Sequence, residues 1–182
     1  FGGGDDFLIN DLTGFTIFES QPNVTNGKDT YILNGSGNNF GTQNTMKIGK
    51  TAASKDYKIL IEFNVSSILN SSTVTSAVLQ VQVVTPGSGM SIEAYRITSF
   101  WNQTVANWTV RNGSQLWSVQ GGDYDSVLID NITINTSVNR WYNFTITTLV
   151  RGWVNGTYTN NGIILIPSAG TADGSVADIV SS

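Results

Sequence analysis

Histidine and cysteine, which carry much of acid–base, nucleophilic and metal chemistry in proteins, are both missing from the 182 residues of this chain. Without imidazole or thiol, neither the common catalytic triads nor thiolate nucleophiles nor imidazole-based metal sites can be assembled. Carboxylates remain. Glu62 and Glu93 are the two that a glycosidase pair would need, but each falls in an alternating strand pattern where a solvent-facing or ion-paired role is the ordinary one. No catalytic residue is expected, and no enzyme. Asp123 and Asp125 flank Tyr124 after Gly121-Gly122 and offer oxygens to Ca²⁺, as Asp5-Asp6 do after a glycine run. Two carboxylates fall short of the about six to eight ligands that the ion takes, so Asp123 and Asp125 are a weak metal candidate and loop solvation is the expected role. Trp101, Trp108, Trp117, Trp141 and Trp153 have two readings, a sugar-stacking platform and buried core, with buried core the expectation for most.

The most frequent chemical motif is the glycan acceptor Asn-x-Ser/Thr. It occurs at Asn23, Asn34, Asn64, Asn70, Asn102, Asn107, Asn112, Asn131, Asn135, Asn143 and Asn155, eleven in all. Chance placement of the chain's Asn, Ser and Thr gives about four, so the excess points to modification and to covalent N-glycans in place of any cofactor. Strand alternation supports this. Asn131, Thr133 and Asn135 share one face while Ile132 and Ile134 take the other, and Asn143 and Thr145 oppose Phe144 and Ile146.

Charged residues are only 12% of the chain, about half the usual share, so sugar would supply the missing surface polarity. The net charge of -4 is thinly spread and Lys and Arg never cluster, which excludes nucleic acid and anionic membrane as partners. No run reaches membrane-span length, so membrane insertion is not expected. The chain opens at Phe1 without a start methionine, and is expected to be a mature secreted product, extracellular at the cell surface. Few carboxylates also mean little proton uptake on unfolding, so tolerance of acid is expected.

The elements that must carry these residues are strands. Apolar residues alternate in Tyr57–Val65 and Val74–Val84, with further strand-like runs at Phe15–Phe18, Thr30–Leu33, Thr45–Ile48, Ser91–Ile97, Val127–Ile134, Trp141–Ile146, Gly162–Ile166 and Val176–Val180. Gly, Pro, Asn and Ser fill the gaps between them. One helical rhythm stands out: Leu149, Val150, Trp153 and Val154, capped by Thr147 or Thr148 and ended by Gly156. The expected fold is all-β, an antiparallel β-sandwich or jelly roll with one short helix and an N-terminal extension strand.

Several segments stand in a familiar order: Asp29-Thr30-Tyr31-Ile32, Asn39-Phe40-Gly41, Met46-Lys47-Ile48-Gly49, the strand from Lys58 through Ile68, Val74 to Leu79, Ala94-Tyr95-Arg96-Ile97-Thr98-Ser99-Phe100-Trp101, Val105-Ala106-Asn107-Trp108, and Leu149-Val150-Arg151-Gly152-Trp153 before Gly162-Ile163-Ile164-Leu165. Over about residues 29–168 this resembles a DNRLRE-type, disaggregatase-related domain. The resemblance implies an extracellular jelly-roll module often used as a carbohydrate-binding unit. Lys58 takes the place of that family's basic residue, its acidic-basic name motif is absent, and Val176–Val180 is a short final strand.

Residues 1–28 form an extension ahead of a β-sandwich domain at 29–182, with a candidate donor strand at about 5–18 and a linker. Phe7, Ile9, Leu12, Phe15, Ile17 and Phe18 make it too apolar to be left free, so it must dock on a sheet, in its own chain or in a neighbour. Donation to a neighbour is head-to-tail and non-closing, and makes filaments. With its sequons and low charge the chain is in this respect similar to the thread-type surface filament subunits of archaea. The expected function is a structural subunit of a glycosylated, pilus-like extracellular filament, a head-to-tail homopolymer; the alternative is a secreted carbohydrate-binding or adhesion module with polysaccharide or cell-surface partners.

Overall fold

The period-two rhythm of the sequence becomes thirteen strands and one helix in the computed structural model, which describes residues 7–11, 16–21 and 26–181, with side chains described for 18–21 and 26–181. The strands are β1 (Phe7–Asp11), β2 (Thr16–Ser20), β3 (Gly27–Leu33), β4 (Thr45–Lys50), β5 (Asp56–Phe63), β6 (Val74–Thr85), β7 (Met90–Arg96), β8 (Val110–Asn112), β9 (Gln115–Leu116), β10 (Asp130–Ile134), β11 (Arg140–Thr145), β12 (Ile163–Pro167) and β13 (Val176–Val180); α1 (Thr147–Val154) lies between β11 and β12. All ladders are antiparallel. This is the all-β, sandwich-like fold that the alternation requires.

One long path of strands, β10-β7-β12-β5-β4-β13-β6, bends over itself, with β3 on the far edge of β5 and β11 on the far edge of β6. Gly49 of β4 pairs with both Val176 of β13 and Tyr57 of β5; it has φ +128°, and its Cβ, if present, would stand 2.1 Å from the Ser175 carbonyl oxygen. Only glycine takes that φ and lets the backbone come so close to its partner. Between the two halves lies the main core: Ile59, Ile61 and Phe63 of β5, Ile163 and Leu165 of β12, Ile92 and Ala94 of β7, facing Leu79, Val81 and Val83 of β6, Ile48 of β4 and Ile179 of β13. Every second residue of each strand points here, which is why the sequence alternates.

A second, smaller core sits on the opposite face of β3, β5 and β12. Ile32, Leu60 and Ile164 are covered there by Ile97, Trp101, Ala106, Trp108 and Trp117, all carried by the long segment between β7 and β10. That segment also carries the β8–β9 hairpin, which strand periodicity alone did not indicate because it is only a few residues long.

The helix stands where its rhythm places it and buries Leu149, Val150, Trp153 and Val154. Its start differs from expectation. The cap position is Ile146, and the Thr147 hydroxyl accepts from the Ala77 amide at 3.0 Å, tying α1 to β6. Thr147 therefore serves a neighbouring strand's backbone, a tertiary demand that local sequence does not reveal. Arg151 does the same, donating through Nε to the Val74 carbonyl at 2.6 Å.

The N-terminal extension is two strands rather than one. β1 pairs with β2 from Phe7↔Ser20 to Asp11↔Thr16, and on its other side with β6, from Phe7↔Leu79 to Asp11↔Val74. Leu79 also pairs with Phe144 of β11, and Val83 with both Arg140 of β11 and Ile179 of β13. Hence β11 holds one edge of β6 while β13 and β1 share the other. The final strand β13 reaches β6 only at Val83 and Thr85, so β1 occupies the length that β13 leaves open. In this structure the docking is within the chain. Of the proposed docking side chains, Phe7 and Ile9 lie on β1 and Ile17 and Phe18 on β2, with Phe18 half-buried against the main core; Leu12 and Phe15 lie outside the described residues.

Candidate functional site: a cleft between Arg96 and Tyr158

Four elements meet around one cleft of about 410 Å³. Arg96 closes β7; the segment Asp125 to Asp130 runs into β10; Thr145 ends β11, and Thr147, Thr148 and Leu149 open α1. Tyr158, in the loop after α1, forms the remaining wall.

Tyr158 is seated by the helix. Its amide donates to the Gly152 carbonyl at 3.0 Å, and its ring lies against the bare Cα of Gly152, where a Cβ would come within 2.4 Å of ring carbon Cδ2. The Arg96 guanidinium stacks over the ring, with Cζ 4.2 Å from its centroid. Arg96 Nη2 in turn donates to Asp125 Oδ2 at 2.8 Å, and the Asp125 amide donates back to the Arg96 carbonyl. The Arg96 hydrogen bond, joined by one from the Val127 amide, holds the Asp125 carboxyl below the usual carboxylate range. At the other end, Asp130 accepts from the Thr145 amide at 2.6 Å.

Exposed Val127 and Leu128 supply apolar wall, and Tyr158 keeps 39% of its surface open. The cleft thus joins an aromatic ring and aliphatic wall to a fixed cation, two carboxylates and threonine hydroxyls. This is the mixture that binds a small polar ligand with an apolar face: a few placed polar groups within an otherwise apolar lining. A sugar ring has both surfaces, hydroxyls at its edge and C–H bonds on its faces.

The other candidates are placed differently. Glu62 lies on the outer face of β5 and pairs with Lys28 Nζ at 2.9 Å; burial pushes its carboxyl up against the pull of Lys28. Glu93, on β7, accepts from Tyr95 Oη at 2.9 Å, and burial followed by Glu93 pushes that phenol up to about 12. Strand register places Glu93 across from Lys58 through β12, so Glu62 and Glu93 are two strands and four residues apart, about 16 Å between backbones. With Glu62 held by Lys28 and Glu93 by Tyr95, the two carboxyls are engaged separately rather than set across one bond as in a glycosidase pair.

Asp123 and Asp125 hold different partners. Asp123 accepts from Ser99 Oγ and the Val119 amide, at 2.8 and 2.9 Å, whereas Asp125 belongs to Arg96. Among the described residues no cluster of three or more acidic groups could hold a metal ion. Lys58 is buried, its ammonium 4.9 Å from the Trp108 ring centroid and 5.3 Å from that of Tyr124, and it donates to the Gly121 carbonyl. Burial pushes its pKa down. It pins the Gly121-Gly122 loop. Four tryptophans are core residues, and only Trp141 is exposed, at 43%.

Of the sequon asparagines, Asn23 lies outside the described residues. Asn64, Asn70, Asn131, Asn135, Asn143 and Asn155 are exposed, and Asn34, Asn102, Asn107 and Asn112 are half-exposed. Asn107 differs from its neighbours in that its Nδ2 donates to the Gly37 carbonyl at 3.0 Å.

Residues 20–177 match carbohydrate-binding module family 96. The chain belongs to that family. The match begins at the end of β2 and ends within β13, so it spans the second core, α1, the whole cleft and the main core except Ile179, and leaves β1 outside. The coarse content of the DNRLRE-type resemblance, a carbohydrate-binding module of sandwich fold, agrees with this membership. No curated protein matches the chain. Sequence reasoning did not single out Arg96 as a site residue, nor Tyr158 at all; an exposed tyrosine standing among Gly, Thr and Asn two residues after a helix-ending glycine is the signal that was available.

Proposed function

We propose that this chain is an extracellular, non-catalytic carbohydrate-binding module that takes a neutral sugar unit in the Arg96–Tyr158 cleft. The observation that carries the reading is the seating of Tyr158: its Cδ2–Cε2 edge set on the helix glycine, the guanidinium over one face, and a carboxylate fixing the guanidinium. Tyr158 offers its ring to the C–H face of a sugar, while Asp125, Asp130 and the Thr145 and Thr148 hydroxyls serve its edge. Family membership supports carbohydrate as the partner class. Among the described residues no helix is long and apolar enough to cross a membrane. The test is titration calorimetry with neutral oligosaccharides. Tyr158→Ala and Asp125→Ala are each expected to weaken binding about tenfold or more, near 1.4 kcal/mol; unchanged affinity in both would place the site elsewhere.

A second reading, that the chain is a subunit of a glycosylated filament, is supported by the edge of β6. The stretch Val74–Leu79 is covered by β1 alone on that side, and β1 lies outside the family match. The same hydrogen bonds are available to the β1 of another copy, which is the exchange that donor-strand polymers use. The glycans expected at the exposed sequons fit both readings.

A further inference from the structure

Among the described residues three large aromatic side chains are exposed: Phe100 at 53%, Trp141 at 43% and Tyr158. Tyr158 belongs to the cleft. The other two share a sequence relationship: Phe100 stands two residues before Asn102 of Asn102-Gln103-Thr104, and Trp141 two residues before Asn143 of Asn143-Phe144-Thr145.

On β11 that spacing has a definite geometry. Trp141 and Asn143 are next-but-one on the outward face, about 7 Å apart along the strand, opposite Gln82 and Gln80 of β6. The Asn143 carbonyl oxygen accepts from Gln80 Nε2 at 3.1 Å, which fixes the side chain and leaves Nδ2 for substitution. At Asn102 the carbonyl oxygen accepts from both the amide and the hydroxyl of Thr104 at 3.0 Å, again leaving Nδ2. The exposed indole presents an apolar face that the C–H side of a sugar ring can cover, removing both from water.

We propose that the first sugar of the N-glycan on Asn143 lies over Trp141, so that the chain's own glycan covers its exposed indole; the Phe100 ring already carries the Lys28 ammonium, 4.4 Å from its centroid. The proposal rests on the reading that this asparagine is glycosylated. In that reaction Nδ2 bonds to C1 of a sugar carried on a lipid-linked phosphate donor; the C1–O bond breaks, the phosphate leaves with the electron pair, and the amide proton passes to a base. The attached ring is then tethered within reach of the aromatic face, so stacking does not lose a second molecule's translational freedom.

The experiment uses the secreted, glycosylated protein and the variants Asn143→Gln and Thr145→Val, which abolish the sequon by different atoms, alone and with Trp141→Ala. Peptide mass spectrometry reads occupancy, and acrylamide quenching reads Trp141, because the other four indoles are buried. Expected are an occupied Asn143, an indole shielded in the parent and quenchable in both sequon variants, and a melting temperature lower by roughly 2–4 °C in each. Trp141→Ala should lower the melting temperature only where the glycan is present, a non-additivity that marks direct contact. An occupied Asn143 with equal quenching in parent and variants overturns the stacking and leaves glycosylation standing. An unmodified Asn143 overturns both at this site.

Discussion

The ring of Tyr158 fills the space that a side chain on Gly152 would need, with Cδ2 and Cε2 2.4 and 2.7 Å from where a Cβ would be. A glycine inside a helix costs about 1 kcal/mol relative to alanine, so α1 gives up stability where Tyr158 sits. Gly152→Ala should therefore separate folding from binding. The helix gains propensity, the ring is displaced from Arg96, and the melting temperature is expected to stay within about 4 °C while sugar affinity falls about tenfold. Unchanged affinity by calorimetry would mean that the seating of Tyr158 is not used.

Acid stability follows from three carboxyls. Glu62 has its pKa raised by burial, so the folded state binds its proton first, and stability increases as pH falls through that raised value toward the ordinary one. Burial works against Asp123 too, but hydrogen bonds from Val119, Ser118 and Ser99 outweigh it and lower its pKa; Asp125 is lowered by Arg96. Their contribution is present above the unfolded pKa and is lost only as pH falls through the lowered folded values. Thermal melts are expected to be flat or slightly rising from neutrality to about pH 4, and to decline below the usual carboxylate range. A Glu62→Gln variant should lose the acid-side rise. A steep loss between pH 7 and 5 would contradict this balance.

Glycan occupancy should discriminate among the sequons. Asn107 Nδ2 is bonded to the Gly37 carbonyl and its carbonyl oxygen accepts from the Thr109 and Val110 amides, so both ends of the amide are in use. Peptide mapping of the secreted protein is expected to find Asn131, Asn143 and Asn155 modified and Asn107 bare. Full occupancy at Asn107 would show that acceptor choice precedes folding of this segment.

The N-terminal hairpin is separable from the cleft, since no cleft residue precedes Arg96. Deleting residues 1–20 uncovers the Val74–Leu79 edge of β6 and the core beneath Phe18. Sugar affinity is expected to persist while the melting temperature falls, and fibres, if electron microscopy shows them in the native material, are expected to vanish. Fibres that persist without residues 1–20 would remove β1 from any assembly role.

Alternation made the strands legible. Ile59, Ile61 and Phe63, or Asn131 and Thr133 against Ile134, declare their faces because a strand's period is two and one side is wet. The second core was harder to see: Leu60 and Ile164 are buried on the other side of their strands, and the cover that buries them is a long segment with no periodicity of its own. The cleft was least legible. Arg96, Asp125 and Tyr158 lie far apart along the chain and meet only because β7, the approach to β10 and the end of α1 converge, so no local spacing announces them. Thr147 illustrates the same limit, a residue with cap chemistry drawn instead to the backbone of β6.

The most direct test of the central claim is backbone-amide NMR of the secreted protein titrated with neutral oligosaccharides. Perturbations confined to Arg96, Asp125 to Asp130, Thr145 to Leu149 and Tyr158 are the predicted result. Saturable shifts centred elsewhere, on the Trp141 face or the Gly121-Gly122 loop, or no shift with any sugar that the protein demonstrably binds, would contradict it.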